Sequence, residues 1–253
     1  MRLDKYLVDN GYFDSRTKAQ NEIKEGNVLI DGKAILKPNF EYSGGDIVIS
    51  NQMPYVSRGG YKLKGAIDMF NLNFNGKVVL DIGASTGGFT DCALQHGAKK
   101  VYSVDVGSDQ LHHTLKDNPQ VVSMENTNIL DANITENIDI LVMDVSFVSI
   151  KNVLDGILKY LNDDNYLVCL IKPQFEVGKM INKGIIKDKK IHLDVLKNVC
   201  QYLNESNLYI NKLAPSPIKG GSGNIEFLAI ISKRNKGYID YLKVCEAAHK
   251  KEW

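Results

Sequence analysis

The chain has 253 residues, a formal net charge of +1, 43% hydrophobic residues and 24% charged residues. This composition supplies enough apolar side chains for a folded core, so it excludes a globally disordered chain and leaves room for one α/β domain plus a small module. Because the net charge is so low, binding to a polyanion must come from local clusters of Lys and Arg.

The start of the chain lacks the apolar centre of a signal peptide, because Asp4, Lys5 and Asp9 interrupt it. The longest notably apolar run, 166–171, is far shorter than the ~20 residues of a membrane-spanning helix. The four cysteines are far apart and form no CxxC pair, which predicts neither a zinc site nor a disulfide framework. We therefore expect a cytoplasmic protein with no membrane partner and no bound metal.

Residues 1–50 have the pattern of a compact α+β unit. Apolar residues from Leu3 to Leu7 recur at helical spacing, and Ser15 is a plausible N-cap for a second helix over 16–25 that Gly26 ends. Three short strands are predicted after it, with an Asp-Gly hairpin turn between the first two: 28–30, 34–36 and 46–49.

This unit resembles the S-four domain of ribosomal proteins and RNA-modifying enzymes, in the segments RLDKYL, SRTKAQNEIKEGNVLIDGKAILKP and GGDIV. The resemblance implies binding to structured RNA, with phosphate contacts from Arg2, Lys5, Arg16 and Lys18. Residues 1–50 contain seven Lys or Arg and eight Asp or Glu. The residues by themselves therefore leave open that these cations belong to solvated helix faces.

A linker is predicted over 51–56, where Pro54 stands in a stretch without apolar periodicity. From Lys77 onward, apolar runs alternate with helical patterns, which predicts an α/β domain over 57–253 with a mostly parallel sheet. The predicted strands are VVLDI, VYSVD, VVSM, IDILVMD, YLVCLI, LYINKL and IEFLAIIS.

A glycine-rich turn follows the first strand of this domain. It has neither the Lys of a P-loop nor the GxGxxG spacing of a dinucleotide site. Its pattern DxGxxxGGF resembles motif I of class I methyltransferases, which implies a Rossmann-like domain that binds S-adenosylmethionine. The residues that the resemblance assigns to the cofactor are Asp81, Gly83, Ser85, Thr86, Gly87, Gly88, Phe89 and Asp105.

Asp105 stands 24 residues after Asp81, at the end of the next strand, where a carboxylate can accept hydrogen bonds from both ribose hydroxyls. Residues 126–128 lie where this family contacts adenine. The alternative is that Asp81 only secures the turn and that the glycines only allow helix packing.

Four polar residues at the ends of predicted elements match the Lys-Asp-Lys-Glu tetrad of FtsJ-like ribose 2′-O-methyltransferases: Lys62, Asp144, Lys172 and Glu226. With the N-terminal module and STGGF, nearly the whole chain resembles the TlyA family, called haemolysin A in older naming. That family is associated with 2′-O-methylation of rRNA. The resemblance therefore implies ribosomal RNA or ribosomal subunits as partners, and suggests cytidine as the nucleotide.

A ribose hydroxyl is a poor nucleophile at neutral pH and benefits from a positioned base. Burial and a neighbouring cation favour the neutral form of a lysine amine, whereas the carboxylates of Asp144 and Glu226 favour the charged form. Our hypothesis is that Lys172 is the base, that Asp144 and Glu226 position it, and that Lys62 orients the substrate and lowers the barrier electrostatically. Arg58 is expected to meet RNA phosphate, and the loop 216–224 to close over the substrate.

Other reactions and functions remain as alternatives. The motif DVSF lacks the prolines of amino-directed methyltransferases, and no cysteine follows a proline as in carbon-five pyrimidine enzymes. A pore-forming haemolysin has little support, because the sequence has no spanning helix and no long alternating strands. A non-catalytic RNA-binding factor for ribosome assembly is the other alternative, and the complete tetrad argues against it.

Overall fold

The computed structural model describes residues 1–24, 26–49, 54–177, 184–235 and 237–251. The chain divides into two compact units, Met1–Pro54 and Tyr55–Trp253. The predicted linker over 51–56 falls partly outside the described residues, as does the last residue of the predicted helix 16–25.

The N-terminal unit consists of two helices followed by small antiparallel strands. Its elements are α1 (Leu3–Asp9), α2 (Arg16–Lys24), β1 (Val28–Ile30), β2 (Lys33–Ala34) and β3 (Ile47–Ile49). Strand β1 lies between β2 and β3, and the helices and strands bury a shared apolar core that includes Leu3, Leu7 and Ile23. The Asp-Gly hairpin is confirmed, although its second strand begins and ends earlier than predicted.

In the described part of the second unit, a seven-stranded sheet has the order β6-β5-β4-β7-β8-β10-β9. The strands are β4 (Val78–Ile82), β5 (Lys100–Val104), β6 (Val121–Met124), β7 (Ile140–Met143), β8 (Tyr166–Ile171), β9 (Tyr209–Pro215) and β10 (Phe227–Ser232). All pairs from β6 to β8 are parallel, and β10 is antiparallel to both of its neighbours. The mostly parallel sheet that the apolar runs predicted is confirmed.

Helices cover both faces of this sheet because successive strand residues point to opposite sides. The helices are α3 (Gly59–Phe70), α4 (Gly88–Gln95), α5 (His113–Lys116), α6 (Leu154–Leu158), α7 (Pro173–Glu176), α8 (Lys189–Glu205) and α9 (Tyr241–Lys250). Val79 belongs to the core formed with α3 and α4, whereas Leu80 belongs to the core formed with α8 and α9. No helix in the described ranges is long and apolar enough to cross a membrane.

Candidate active site

The predicted tetrad comes together at the carboxyl-terminal edge of the parallel strands. Asp144 directly follows β7 and Lys172 directly follows β8, so two neighbouring strands deliver both side chains to one place. Glu226 directly precedes β10, whose antiparallel register pairs Phe227 with Ile171. The carboxylate of Glu226 therefore reaches the same edge of the sheet.

Lys62, on α3, connects the two carboxylates. Its Nζ lies 2.8 Å from Glu226 Oε2 and 3.3 Å from Asp144 Oδ2. The other oxygen of Asp144, Oδ1, lies 2.6 Å from Lys172 Nζ. Charges thus alternate along the cluster, and its side chains are between 3% and 18% exposed. Ion pairs between such largely buried groups interact more strongly than pairs at the protein surface.

Two carboxylates keep Lys62 protonated. Burial lowers the pKa of Lys62, but the carboxylates of Asp144 and Glu226 raise it by more, so the pKa is above its ordinary value. Lys62 is therefore a permanent cation at physiological pH. Our hypothesis from the sequence placed Glu226 beside Lys172; instead Glu226 contacts Lys62, because β10 brings it to the side of the cluster that faces α3.

Side chains next to the tetrad in sequence complete its surroundings. Ser146 Oγ accepts a hydrogen bond of 2.7 Å from Lys172 Nζ. Gln174 Nε2 donates to Glu226 Oε1 at 3.1 Å. The ring of Phe175 lies 5.8 Å from Lys172 Nζ and 5.3 Å from the ring of Phe147. Neither Ser146 nor Phe147 is among the site residues predicted from the sequence.

Phe147 has an unusual conformation for an aromatic residue. Its side chain is 91% exposed and its φ is +65°, in the left-handed region that bulky residues rarely adopt. The backbone turn after Asp144 therefore holds an apolar ring out at the mouth of the site. Strained, exposed residues of this kind concentrate at functional sites.

Three cavities in the described part of this unit border the cluster, and Asp144 and Ser146 line all of them. A cavity of about 660 Å³ extends from Gly83 and Asp105 to Thr127. A cavity of about 210 Å³ lies between the glycine turn and the start of α3. The third, about 860 Å³, lies on the far side of the tetrad. The site can thus hold two sizeable molecules that meet at Asp144.

Most residues of the predicted cofactor turn line these cavities: Gly83, Ser85, Thr86, Gly88, Phe89 and Asp105. Gly83 has a φ of +79°, and a Cβ there would come within 2.9 Å of Val145 Cγ1. The carboxylate of Asp105 accepts backbone N–H bonds of 2.8 Å from Ser85 and 2.7 Å from Gly107. These bonds hold the acid at the cavity wall.

Gly87 and Asp81 lie differently from the rest of the turn. A Cβ on Gly87 would overlap the side chain of Leu115, so this glycine permits packing and does not line the cavities. Asp81 is fully buried on the face of β4 that packs against α4, where Thr90 Oγ1 donates a 2.7 Å hydrogen bond to its Oδ2. Its Oδ1 has no hydrogen-bond partner among the described residues. A cofactor contact of Asp81 stays a prediction.

Burial raises the pKa of Asp81 to about 7. In the unfolded state the pKa of Asp81 is ~3.9. Between about pH 4 and 7 the folded protein therefore keeps a proton on Asp81 that the unfolded chain releases, and the free energy of unfolding falls as pH rises through this range. We expect Asp81→Asn to gain stability relative to wild type across that window, by up to a few kcal/mol at ~1.4 kcal/mol per pKa unit, and to level off above it. Urea unfolding of both proteins between pH 5 and 8 measures this, and a pH-independent difference would contradict it.

Some of the other residues predicted for the site line the cavities. Thr127 and Asn128 line the 660 Å³ cavity, whereas Asn126 does not, and its φ is +53°. Arg58 lines the smallest cavity at the start of α3. Gly221 of the loop 216–224 borders both the smallest and the largest cavity.

In the N-terminal unit, two of the predicted phosphate contacts converge on one carboxylate. Asp4 is fully buried and accepts hydrogen bonds from Arg2 at 2.9 and 3.1 Å, from Arg16 at 3.0 Å and from Gln20 at 2.6 Å. Burial raises the pKa of Asp4, but these donors outweigh it and hold the pKa well below the usual range. The side chains of Arg2 and Arg16 stay 46% and 52% exposed.

The two predicted lysine contacts of this unit lie apart from that carboxylate. Lys5 is exposed, and Lys18 Nζ lies 3.6 Å from Asp14 Oδ2. The structure thus brings Arg2 and Arg16 together at Asp4 and places the lysines separately.

Comparisons with known proteins agree with this arrangement. Residues 55–233 match the FtsJ-like methyltransferase family, and residues 1–48 match the S4 domain. Hemolysin A of Brachyspira hyodysenteriae is 42% identical over 236 residues, which cover 90% of this chain and 98% of that protein. The 16S/23S rRNA (cytidine-2′-O)-methyltransferase TlyA of Mycobacterium tuberculosis is 34% identical over 257 residues, covering 98% and 96%.

A solved structure of a protein named as a hemolysin, from Streptococcus thermophilus, has a TM-score of 0.79 and 38% identity, and covers 99% of this chain and 96% of that one. Fold and sequence similarity therefore extend over both units. The chain belongs to the FtsJ-like methyltransferases, enzymes whose cofactor is S-adenosylmethionine, and it carries an S4 domain at its N-terminus.

Proposed function

We propose that the protein methylates the ribose 2′-oxygen of a cytidine in ribosomal RNA, with Lys172 as general base. The observation that carries this proposal is the contact of Lys172 and Asp144 at the point where the cavities meet. Two relatives are named as rRNA (cytidine-2′-O)-methyltransferases, which supports the choice of acceptor. A ribosomal substrate also favours the cytoplasm as the place of action.

The walls of the smaller cavities fit S-adenosylmethionine. Each oxygen of the Asp105 carboxylate accepts one backbone N–H and keeps capacity for a ribose hydroxyl. Thr127 and Asn128 line the same cavity where an adenine would lie, and Gly83 leaves room for close approach to the turn. When bound, S-adenosylmethionine supplies an electrophilic methyl group on a positively charged sulfur.

In this proposal the residues of the tetrad have different roles. The neutral amine of Lys172 takes the proton of the 2′-hydroxyl as its oxygen attacks the methyl group. Lys62, held as an ammonium by Glu226 and Asp144, stabilises the negative charge that develops on that oxygen. Gln174 donates a hydrogen bond to Oε1 of Glu226 and so orients the carboxylate that pairs with Lys62.

The largest cavity is the proposed substrate site. Phe147 and Phe175 present adjacent rings beside Lys172, and an unstacked base can lie against such rings, as is common in recognition of single-stranded RNA. The target nucleotide would therefore leave its helix before reaction.

The test uses purified protein, labelled S-adenosylmethionine and separate small and large ribosomal subunits, followed by mapping of the methylated nucleotide. We expect 2′-O-methylcytidine at a defined position. Methyl transfer to a base or to a protein would refute the ribose assignment. Cofactor binding without transfer to any RNA would instead favour a non-catalytic ribosome-assembly factor.

The S4 unit is proposed to engage RNA phosphates through Arg2 and Arg16. Arg16→Gln removes one cation but keeps a donor for Asp4, so the unit should stay folded. We expect several-fold weaker RNA binding and unchanged cofactor affinity. The slope of log affinity against log salt concentration should fall by about one, the value for one lost phosphate contact. Filter binding at several salt concentrations measures this. Lys24→Gln, on the same helix, is the charge-matched control, and equal effects of both variants would contradict a specific role for Arg16.

A further inference from the structure

The contact between Lys172 and Ser146 has a consequence for the direction of proton transfer. Lys172 Nζ is in ion-pair contact with Asp144 Oδ1 at 2.6 Å and donates a hydrogen bond of 2.7 Å to Ser146 Oγ. Ser146 lies two residues beyond Asp144 on the same turn, and it borders all three cavities. It is not part of the tetrad.

A lysine acting as a base must aim its lone pair at the substrate hydroxyl. A neutral primary amine has two N–H bonds and one lone pair in tetrahedral directions, and the flexible stem of lysine leaves rotation about its last bond free. A hydrogen bond to an acceptor restricts that rotation, because hydrogen bonds are directional. Ser146 Oγ accepts such a bond from Lys172.

Asp144 by itself does not restrict the rotation of the Lys172 amine. Its Oδ2 accepts a hydrogen bond from Lys62, whereas its Oδ1 lies 2.6 Å from Lys172 Nζ but accepts no hydrogen bond from a described residue, so it acts on Lys172 through its charge. The other groups around Lys172 are engaged elsewhere or are apolar: Glu226 contacts Lys62 and Gln174, and Phe175 presents a ring. Ser146 is thus the contact that gives the amine a defined orientation.

We propose that Ser146 is a positioning residue that accepts one N–H of neutral Lys172 and thereby points the lone pair of the amine into the substrate cavity. This inference rests on the proposed function, in which Lys172 is the base. In that reaction, the bond from oxygen to the methyl carbon forms and the bond from carbon to sulfur breaks, with its electron pair left on sulfur. The hydroxyl proton moves to Lys172, which releases it to solvent before the next turnover.

The matched pair Ser146→Thr and Ser146→Val tests the hydroxyl alone, because the two new side chains have nearly the same shape and Ser146 is exposed enough to accept either. We expect Ser146→Val to lower kcat by about tenfold to a hundredfold, the range in which misplacement of a reacting group acts. KM for RNA and cofactor affinity should stay near wild type. Ser146→Thr should recover most of kcat.

A kcat of Ser146→Val within twofold of wild type would overturn the inference, as would equal losses in the Thr and Val variants, which would indicate an effect of bulk. A loss that appears in KM and not in kcat would assign Ser146 to RNA binding and also overturn it. Lys172→Ala is measured in parallel: if that variant stays active, the proposed base fails. An inactive Lys172→Ala beside a fully active Ser146→Val would refute the role of Ser146 alone.

Discussion

Replacing Lys172 with Ala is expected to lower the rate of methyl transfer by about 10²–10⁴-fold, the range typical for loss of a general base. The side chain of Lys172 is 7% exposed, lines the largest cavity and contacts Asp144, so no solvent group can easily take its place. Lys172→Arg should not restore activity, because a guanidinium stays protonated and cannot accept the hydroxyl proton.

The measurement is a single-turnover assay with labelled cofactor and ribosomal subunits, beside a separate measurement of cofactor affinity. Affinity should change little, because Lys172 does not line the cavity that contains Asp105. Lys64→Ala is the control, since Lys64 is an exposed lysine on α3 that pairs with Asp68. Activity of Lys172→Ala within tenfold of wild type would rule out Lys172 as the base.

Glu226→Gln is expected to destabilise the second unit by about 3 kcal/mol, because it leaves the buried ammonium of Lys62 without its nearest carboxylate. Removal of one partner from a buried ion pair costs far more than removal of both. The double variant Lys62→Met with Glu226→Gln should therefore recover most of the lost stability while it stays inactive.

Urea unfolding at neutral pH, followed by a signal from the second unit, measures these changes. Lys64→Met is the matched control for an exposed ion pair and should change stability by less than about 0.5 kcal/mol. If Glu226→Gln were as stable as wild type, or if the double variant were less stable than the single one, the buried pair would have no structural role.

These variants also separate two properties of the site. In the proposed mechanism, Lys62, Glu226 and Asp144 stabilise the fold and set the electrostatic field, whereas Lys172 and Ser146 act in proton transfer. A loss of activity with full stability should therefore mark the second group, and a loss of both should mark the first.

Much of the molecule follows from local features of the sequence. The apolar runs predicted the strands of the large sheet because buried strands must be apolar on both faces. The spacing from Asp81 to Phe89 predicted the cofactor turn, since close approach of a ligand to the backbone requires small residues at set positions. The resemblance to the FtsJ-like tetrad predicted that four distant side chains would share one site, and their contacts confirm this.

Tertiary structure decided which of these residues meet. The contact of Lys62 with Glu226 joins positions 164 residues apart and depends on the register of β10 beside β8. The orientation of a strand residue is likewise non-local: Asp81 faces α4, whereas Gly83 faces the cavity, and Gly87 gives room to Leu115. Ser146 acquires a partner only when β7 and β8 end side by side. Local propensity sets each element, but packing over long sequence separations sets the pairs of side chains, and the pairs carry the chemistry.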